Sequence, residues 1–306
     1  MLLVALLAAG LLALIPASAA ADGLPAAGID AEPVSVPGGE VDYATERAGR
    51  DTRLVESARY GGPLRGRRLR GAFSIPAVAY DSTASGLSAD GRTLVLISPR
   101  RRYPRKRTTL AVVDTTTLGV HRQIALRGDF SVDAVSPDGG LLYLIEYSPR
   151  NPADYAVRAY DMRARRLLPE PVVDPSEPDE PMTGVPVTRV ASLGGRWAYT
   201  LYQSAEHPFV HALDTERRTA VCIDLDDLKQ VWNASLDLRG TRLEVVGRTG
   251  RVRAAIDTRT HRLISPLVSP AERDAGTSWL PIAAPTAALL LLAAGLGRRS
   301  RRRSRV

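Results

Sequence analysis

The sequence contains a single cysteine, Cys222, among its 306 residues. One thiol excludes a disulfide-rich scaffold and a zinc site built from several cysteines. Cys222 lies in an apolar run, where we expect a buried structural thiol rather than a nucleophile. Aromatic residues are also scarce, at 5%, but 44% of the residues are hydrophobic and 24% are charged. This composition excludes a disordered or collagen-like protein and is sufficient for a sizeable core.

The sequence also lacks the motifs of common catalytic and nucleotide-binding sites, such as H-E-x-x-H, G-x-S-x-G, G-x-G-x-x-G, the P-loop and C-x-x-C. Its histidines are scattered, and Pro208 argues against a helix that would pair His207 with His211 as metal ligands. The acid-rich stretch 169–181 contains five prolines and no glycine, which favours an extended loop over a calcium site. We therefore predict no catalytic residue, no metal and no cofactor.

Positive charge is concentrated at one end of the chain. The formal net charge is +8, but residues 298–306 hold six arginines. The rest of the chain therefore carries a net charge of about +2, too little to favour nucleic acid as a partner.

An apolar segment opens the sequence. Residues 1–15 have no charged side chain and are followed by Pro16 and a run of small residues. This pattern is typical of a secretory signal peptide, with cleavage expected after Ala19 or Ala21. We predict a signal peptide over residues 1–21 and a linker over residues 22–33; an uncleaved anchor or a buried core helix is the alternative.

A second apolar segment lies near the other end. Residues 279–297 contain no charged side chain, and as a helix they would span about 28 Å, close to the hydrocarbon thickness of a bilayer. We predict a transmembrane helix here, preceded by a linker over residues 269–278. Because arginines follow at once, the basic tail 298–306 is expected in the cytoplasm and the preceding domain outside it. A surface-sorting signal is the alternative, although the Thr-Gly of a sortase site is missing.

A repeated unit fills the sequence between these segments. Each copy has a turn before an apolar strand and, later, an aspartate that closes another strand. The aspartates are spaced 47, 53 and 43 residues apart, and a degenerate fifth copy begins near Val34. The turns are Ser88-Ala89-Asp90-Gly91, Ser136-Pro137-Asp138-Gly139, Ser192-Leu193-Gly194-Gly195 and the weaker Leu238-Arg239-Gly240, and the aspartates are Asp114, Asp161, Asp214 and Asp257.

Each unit reads as four short strands. In the clearest copy these are predicted over residues 132–135, 141–147, 155–161 and 167–173. The second strand is apolar on both faces, as expected for a strand enclosed by neighbouring sheets. Because no helical periodicity occurs between the terminal segments, we predict an all-β protein. Its main domain, residues 34–268, is expected to be a β-propeller of about five four-stranded blades, with six blades or an open ring as alternatives.

The Ser-Pro-Asp-Gly turn, the apolar strand after it and the Asp-Thr turn resemble the WD-repeat-like, TolB-like and YVTN-type propellers of exported bacterial proteins. The resemblance covers about 230 residues and implies the fold, while leaving the function open. Related propellers include lactonases and other hydrolases with sites at the central tunnel. The resemblance therefore implies a lactonase-like hydrolase as the alternative function. Asp133 and Glu146 are the kind of acidic residues that such a tunnel site would use.

One loop is the candidate binding site for an anion or a partner. We expect it to project from a propeller face, where charge and stacking would attract polyanions; a solvated loop, or one lying on the membrane surface, is the alternative. We predict a membrane-anchored extracytoplasmic module that binds or scaffolds an envelope protein, an anionic polymer or lipid head groups. The candidate residues are Arg100, Arg101, Arg102, Tyr103, Arg105, Lys106 and Arg107.

Overall fold

The repeated unit forms successive antiparallel sheets in a computed structural model that describes residues 31–151, 154–180 and 182–264. Strands and turns are the regular elements of this part of the chain, which contains no helix. No helix among these residues is therefore long and apolar enough to cross a membrane. The predicted signal peptide, transmembrane helix and basic tail lie outside the described residues.

Five sheets, which we number as blades 1 to 5, follow one another along the chain. Blade 1 contains β1 (Val41–Ala48), β2 (Asp51–Ala58) and β3 (Pro63–Leu69), and blade 2 contains β4 (Thr93–Ile97), β5 (Arg107–Asp114) and β6 (Gly119–Arg127). Blade 3 contains β7 (Asp129–Val135), β8 (Leu141–Tyr147), β9 (Tyr155–Asp161) and β10 (Arg166–Val172). Blade 4 contains β11 (Val185–Ala191), β12 (Trp197–Gln203), β13 (Phe209–Asp214) and β14 (Thr219–Asp224), and blade 5 contains β15 (Ser235–Arg239), β16 (Arg242–Val246), β17 (Val252–Asp257) and β18 (Arg262–Leu263).

Blades 3 to 5 have four strands each, as predicted, and the strands of blade 3 lie within a few residues of their predicted positions. In blades 1 and 2 the innermost strand is reduced to isolated backbone bridges, between Val34 and Tyr43 and between Leu87 and Leu94. The predicted order of four strands per blade is therefore kept, although two inner strands are irregular.

Apolar side chains join each blade to the next. The second strand of a blade is buried on both faces, as β4, β8 and β12 show. Separate hydrophobic clusters connect blades 1 and 2, blades 2 and 3, blades 3 and 4, and blades 4 and 5. This packing of consecutive sheets on one another is that of a β-propeller. Among the described residues no such cluster joins blade 5 to blade 1.

Local turn chemistry fixes the repeat. In blade 3 the Asp138 carboxylate accepts hydrogen bonds from the Ser136 hydroxyl at 2.7 Å and from the Gly140 amide at 2.9 Å. Gly139 has a φ of +69°, a conformation that favours glycine. After the third strand of blade 4, Asp214 accepts the amides of Glu216 and Arg217, both at 3.0 Å. In both turns the aspartate therefore caps the backbone of its own turn.

The loops of each blade define two faces. Connections after the second and fourth strands lie on what we call the upper face, and turns after the first and third strands lie on the lower face. Because each sheet is antiparallel, the predicted basic loop, between β4 and β5, is on the upper face. The connection between β10 and β11, which contains most of the acid-rich stretch, lies on the same face.

Candidate functional site

Two of the predicted basic residues are buried at the base of the loop. The side chains of Arg100 and Arg105 are 6% and 8% exposed, and both contact Asp129, whose side chain is 1% exposed. Arg100 donates to Asp129 Oδ1 at 2.6 Å through Nη2, and Arg105 donates to the same oxygen at 3.0 Å through Nε. Asp129 is the first residue of β7, so this contact ties the loop of blade 2 to the inner strand of blade 3.

The buried guanidinium groups are held by further contacts. The Arg105 amide donates to Asp129 Oδ2 at 3.0 Å, and its Nη1 donates to the Ser98 carbonyl at 2.8 Å. Burial and the neighbouring charge of Arg100 lower the pKa of Arg105 to about 10, so the group is charged at neutral pH. These two residues hold the loop in place and do not form part of its exposed surface.

Tyr103 also packs inward. Its hydroxyl donates to the Ser148 carbonyl in the next blade, and the Arg100 guanidinium lies 5.9 Å from the centre of its ring. The same guanidinium lies 4.9 Å from the ring centre of Tyr147, within the range of a cation–π contact. Tyr103 therefore stabilises the base of the loop. Its ring contacts Arg100 of the protein itself, which does not match the predicted stacking on a ligand.

The remaining predicted residues are exposed. Arg101, Arg102, Lys106 and Arg107 are open to solvent, and none has an ion-pair partner among the described residues. The backbone under them is fixed, since the Lys106 carbonyl accepts the Gly128 amide at 2.9 Å. The structure therefore divides the predicted set: Arg100, Tyr103 and Arg105 anchor the loop, and four cations face outward. The expectation that the whole loop is exposed was wrong for Arg100 and Arg105, because each has a buried partner in blade 3.

Two further residues of this region were not foreseen. Arg127 is exposed and lies directly opposite Arg107 in the pairing of β5 with β6. Like charges placed opposite one another in a sheet are destabilising, which is a reason to look for an anion there. Asp129 could not be selected by sequence, because its partners are 24 and 29 residues away. We call the exposed set Arg101, Arg102, Lys106, Arg107 and Arg127 the basic patch.

A hairpin lies against the inner strands of blades 3 and 4. This hairpin, closed by the Ala77–Ala84 bridge, precedes blade 2, and Tyr80 at its tip donates its amide to the Pro186 carbonyl of β11 at 3.0 Å. The Ser85 hydroxyl donates to the Asp133 carbonyl of β7 at 2.8 Å. The hairpin thus contacts the inner strands of blades 3 and 4, where a central tunnel was considered as a hydrolase site.

The acids considered for that hydrolase site are already paired. Asp133 accepts from Arg189, with side chains 4% and 5% exposed, and Glu146 accepts from Arg158. Of the described residues, no three His, Cys, Asp or Glu side chains are placed together to hold a metal ion. Burial raises the pKa of the partly exposed Cys222 to about 12, which agrees with the predicted unreactive thiol.

No protein-family model and no curated protein matches the sequence. Several solved structures are similar to the chain at low identity. The β-propeller domain of Cps50 (Swd1) from Myceliophteria thermophila is 13% identical with a TM-score of 0.42; 74% of this chain and 63% of that chain are covered. TolB from Acinetobacter baumannii is 13% identical with a TM-score of 0.38, covering 64% and 43%.

The Dos1 propeller is 11% identical, with a TM-score of 0.44 and coverage of 74% and 54%. In these three comparisons the chain spans less than two thirds of the other protein. β-Propellers, TolB among them, are thus what the chain is similar to. The likeness concerns the fold alone, which the sheets and their packing define independently.

Proposed function

We propose that the protein is a binding module of the cell envelope whose basic patch recognises phosphate-bearing polyanions, either a polymer or lipid head groups. The observation that carries the proposal is a set of exposed cations without carboxylate partners among the described residues, held on a base fixed by the buried Arg100–Asp129–Arg105 contact. Clustered, unneutralised cations attract polyanions and speed their association. A fixed base also lowers the conformational entropy lost on binding.

We further propose that the propeller is attached to the membrane and lies outside the cytoplasm. The apolar segments at residues 1–15 and 279–297 and the arginines after Gly297 support this arrangement. In the extracytoplasmic space, phosphate-rich polymers and lipid head groups are the accessible polyanions. The hydrolase remains the alternative, but its candidate acids Asp133 and Glu146 are each occupied by an arginine.

The test is a titration of the full-length protein, in neutral detergent, with poly(glycerol phosphate) and separately with a soluble short-chain phosphatidylglycerol. The variant carries Arg101→Ser, Arg102→Ser, Lys106→Ser and Arg107→Ser. We expect saturable binding that weakens with salt, and a loss of about tenfold or more in affinity, with a smaller salt dependence, in the variant. Binding of the polymer alone or of the lipid alone identifies the source of the phosphate.

A matched control removes four exposed arginines from the lower face, through Arg163→Ser, Arg165→Ser, Arg166→Ser and Arg217→Ser. It changes the net charge by the same amount and leaves the basic patch intact. Equal loss of affinity in both variants would mean that net charge alone attracts the polyanion, and unchanged affinity in the patch variant would refute the site.

A further inference from the structure

A cavity opens on the upper face, beside blade 4. It has a volume of about 60 Å³ and lies between the β10–β11 connection and the ends of β13 and β14. Its inner wall is buried and includes Val172, Phe209 and His211. Its rim is exposed and carries the side chains of Glu177, Glu180, Glu206 and Asp224. We call this cavity the acidic pocket.

The charges around the acidic pocket are not balanced. No lysine or arginine is among its lining residues in the described part of the chain. Asp174 also lines it, but its oxygens are occupied by the Ser176 amide and hydroxyl and by the Cys222 amide. Asp224 lies 3.0 Å from His207 Nε2. Glu177, Glu180 and Glu206 have no ion-pair partner among the described residues.

Glu177 and Glu180 crowd one another at the rim. The nearby Glu180 carboxyl, through a hydrogen bond and its charge, raises the pKa of Glu177. Two carboxylates placed together in this way favour either a shared proton or a bound cation. The arrangement is thus suited to a positively charged group that would replace the proton.

An independent feature of the acidic pocket is the histidine in its inner wall. His211 is only 1% exposed, and its imidazole makes no hydrogen bond among the described residues, although its ring edge meets Tyr202 at 6.4 Å. Burial lowers the pKa of His211 to about 4, so the ring is neutral and one nitrogen is free to accept a hydrogen bond. A buried acceptor without a partner costs free energy that a ligand donor would recover.

We propose that the acidic pocket binds an alkyl chain ending in a guanidinium or ammonium group, with the charged end near the glutamates and His211. The apolar wall formed by Val172, Phe209 and Met182 would contact the methylene groups. A cation with several N–H donors satisfies carboxylates and an imidazole acceptor together. A bare metal ion fits less well, because no metal-binding cluster is present among the described residues.

The charged group has two possible sources, the arginine or lysine side chain of a partner protein and a free organic cation. Two probes separate them: N-ethylguanidinium, and a ten-residue Gly-Ser peptide with one central arginine. The same peptide with citrulline in place of arginine has nearly the same shape without the charge. Binding of the arginine peptide alone assigns the site to a partner side chain, and equal binding of N-ethylguanidinium assigns it to a small molecule.

The test uses calorimetry on the full-length protein, together with spectra of ¹³C-labelled histidine, of which the chain has only four. We expect saturable binding of a cationic probe, a shift of the His211 resonance and no binding of the citrulline peptide. Glu177→Gln with Glu180→Gln should weaken binding by about tenfold. Glu170→Gln with Asp179→Asn is the matched control, since these acids belong to the same stretch but do not line the pocket.

The control variant should bind the cationic probes with an affinity within about twofold of that of the wild type. Absence of binding by both cationic probes at about 10 mM, or equal weakening by both double variants, would overturn the proposal. The inference is independent of polyanion binding at the basic patch, because the probes carry the opposite charge and the substituted residues differ. Failure of one proposal would therefore leave the other unaffected.

Discussion

At the scale of single residues, Asp129 is the buried anion that holds the basic loop on blade 3. Its single carboxylate pairs with two buried guanidinium groups and also accepts the Arg105 amide. Burying such a cluster is costly, and loss of the carboxylate leaves two positive charges without an anion in a poorly solvated place. The pair Arg53–Glu46 on blade 1 differs from this buried cluster because its side chains are 53% and 54% exposed.

We predict that Asp129→Asn lowers the free energy of unfolding by about 3–5 kcal/mol, because it leaves Arg100 and Arg105 without their anion. Glu46→Gln, which breaks the exposed pair, should cost at most about 1 kcal/mol. Urea unfolding of the two variants beside the wild type measures both effects. Similar losses in the two variants would show that burial of the Asp129 cluster contributes little.

His211 gives a second prediction at this scale, a dependence of stability on pH. Its pKa in the folded protein is about 4, below the usual 6.5, because burial disfavours the charged ring. The groups that face it are Asp133 on β7, Arg189 on β11 and Asp174 in the β10–β11 connection. The unfolded chain takes up the proton first as pH falls. The stabilisation is therefore complete above about pH 6.5 and is lost progressively towards pH 4.

Between pH 7.5 and pH 5 we expect the free energy of unfolding to fall by about 2 kcal/mol from this group alone. His211→Gln should remove that part of the pH dependence whatever its effect on stability at neutral pH. Denaturation at the two pH values for both proteins measures the difference. An unchanged pH dependence in the variant would assign it to other groups, such as His261, whose pKa burial also lowers.

At the scale of elements, the turn between the first two strands of a blade keeps its position even where its aspartate is replaced by glycine. In blades 2 and 3 the aspartates Asp90 and Asp138 bind the serine hydroxyl and an amide of their own turn. Blade 4 has Gly194 at the equivalent place, and Ser192 still accepts the Trp197 amide at 3.0 Å. A Cβ at Gly194 would meet nothing within 4 Å.

We therefore predict that Gly194→Asp stabilises the protein, by restoring the missing hydrogen bonds and restricting the unfolded chain. Gly194→Ala tests the second effect alone and should contribute about 0.4–1 kcal/mol. The aspartate should exceed the alanine by about 1 kcal/mol. Thermal unfolding of both variants measures this difference, and an aspartate no better than the alanine would contradict the assignment of the turn's aspartate as a stabilising cap.

At the scale of the whole molecule, the upper face combines two regions of opposite charge. The upper face carries the basic patch on blade 2 and the acidic pocket beside blade 4. Between these two regions lies one continuous aromatic cluster, in which Tyr147 and Tyr155 of blade 3 meet Tyr202 and Phe209 of blade 4. These two regions of opposite charge correspond to the two proposed ligands, a polyanion and an organic cation.

The proposed membrane topology gives a prediction at this scale. Protease added to spheroplasts should degrade residues 22–278, while an epitope placed after Val306 stays protected until the membrane is permeabilised. The expectation follows from the arginines at residues 298–306, which the positive-inside rule keeps in the cytoplasm. Immunoblots of the epitope follow the cleavage, and its loss from intact spheroplasts would overturn the topology.

The sequence by itself determined the all-β repeat. The strands of blade 3 and the Asp-capped turns were predictable because a turn motif and a strand's apolar pattern depend on residues only a few positions apart. The irregular inner strand of blade 2 was not predictable from the sequence. The hairpin before it is positioned by the contact of Tyr80 with Pro186 of blade 4, a residue far away in the chain.

The site was only partly predictable for the same reason. Sequence located the cluster of cations, but the tertiary structure decided which of them are buried, because Asp129 reaches Arg100 and Arg105 only when blades 2 and 3 pack together. The acidic pocket likewise exists only where the β10–β11 connection folds over His211. Charge and periodicity are local properties of a chain, whereas burial and pairing between distant residues arise only when the blades assemble.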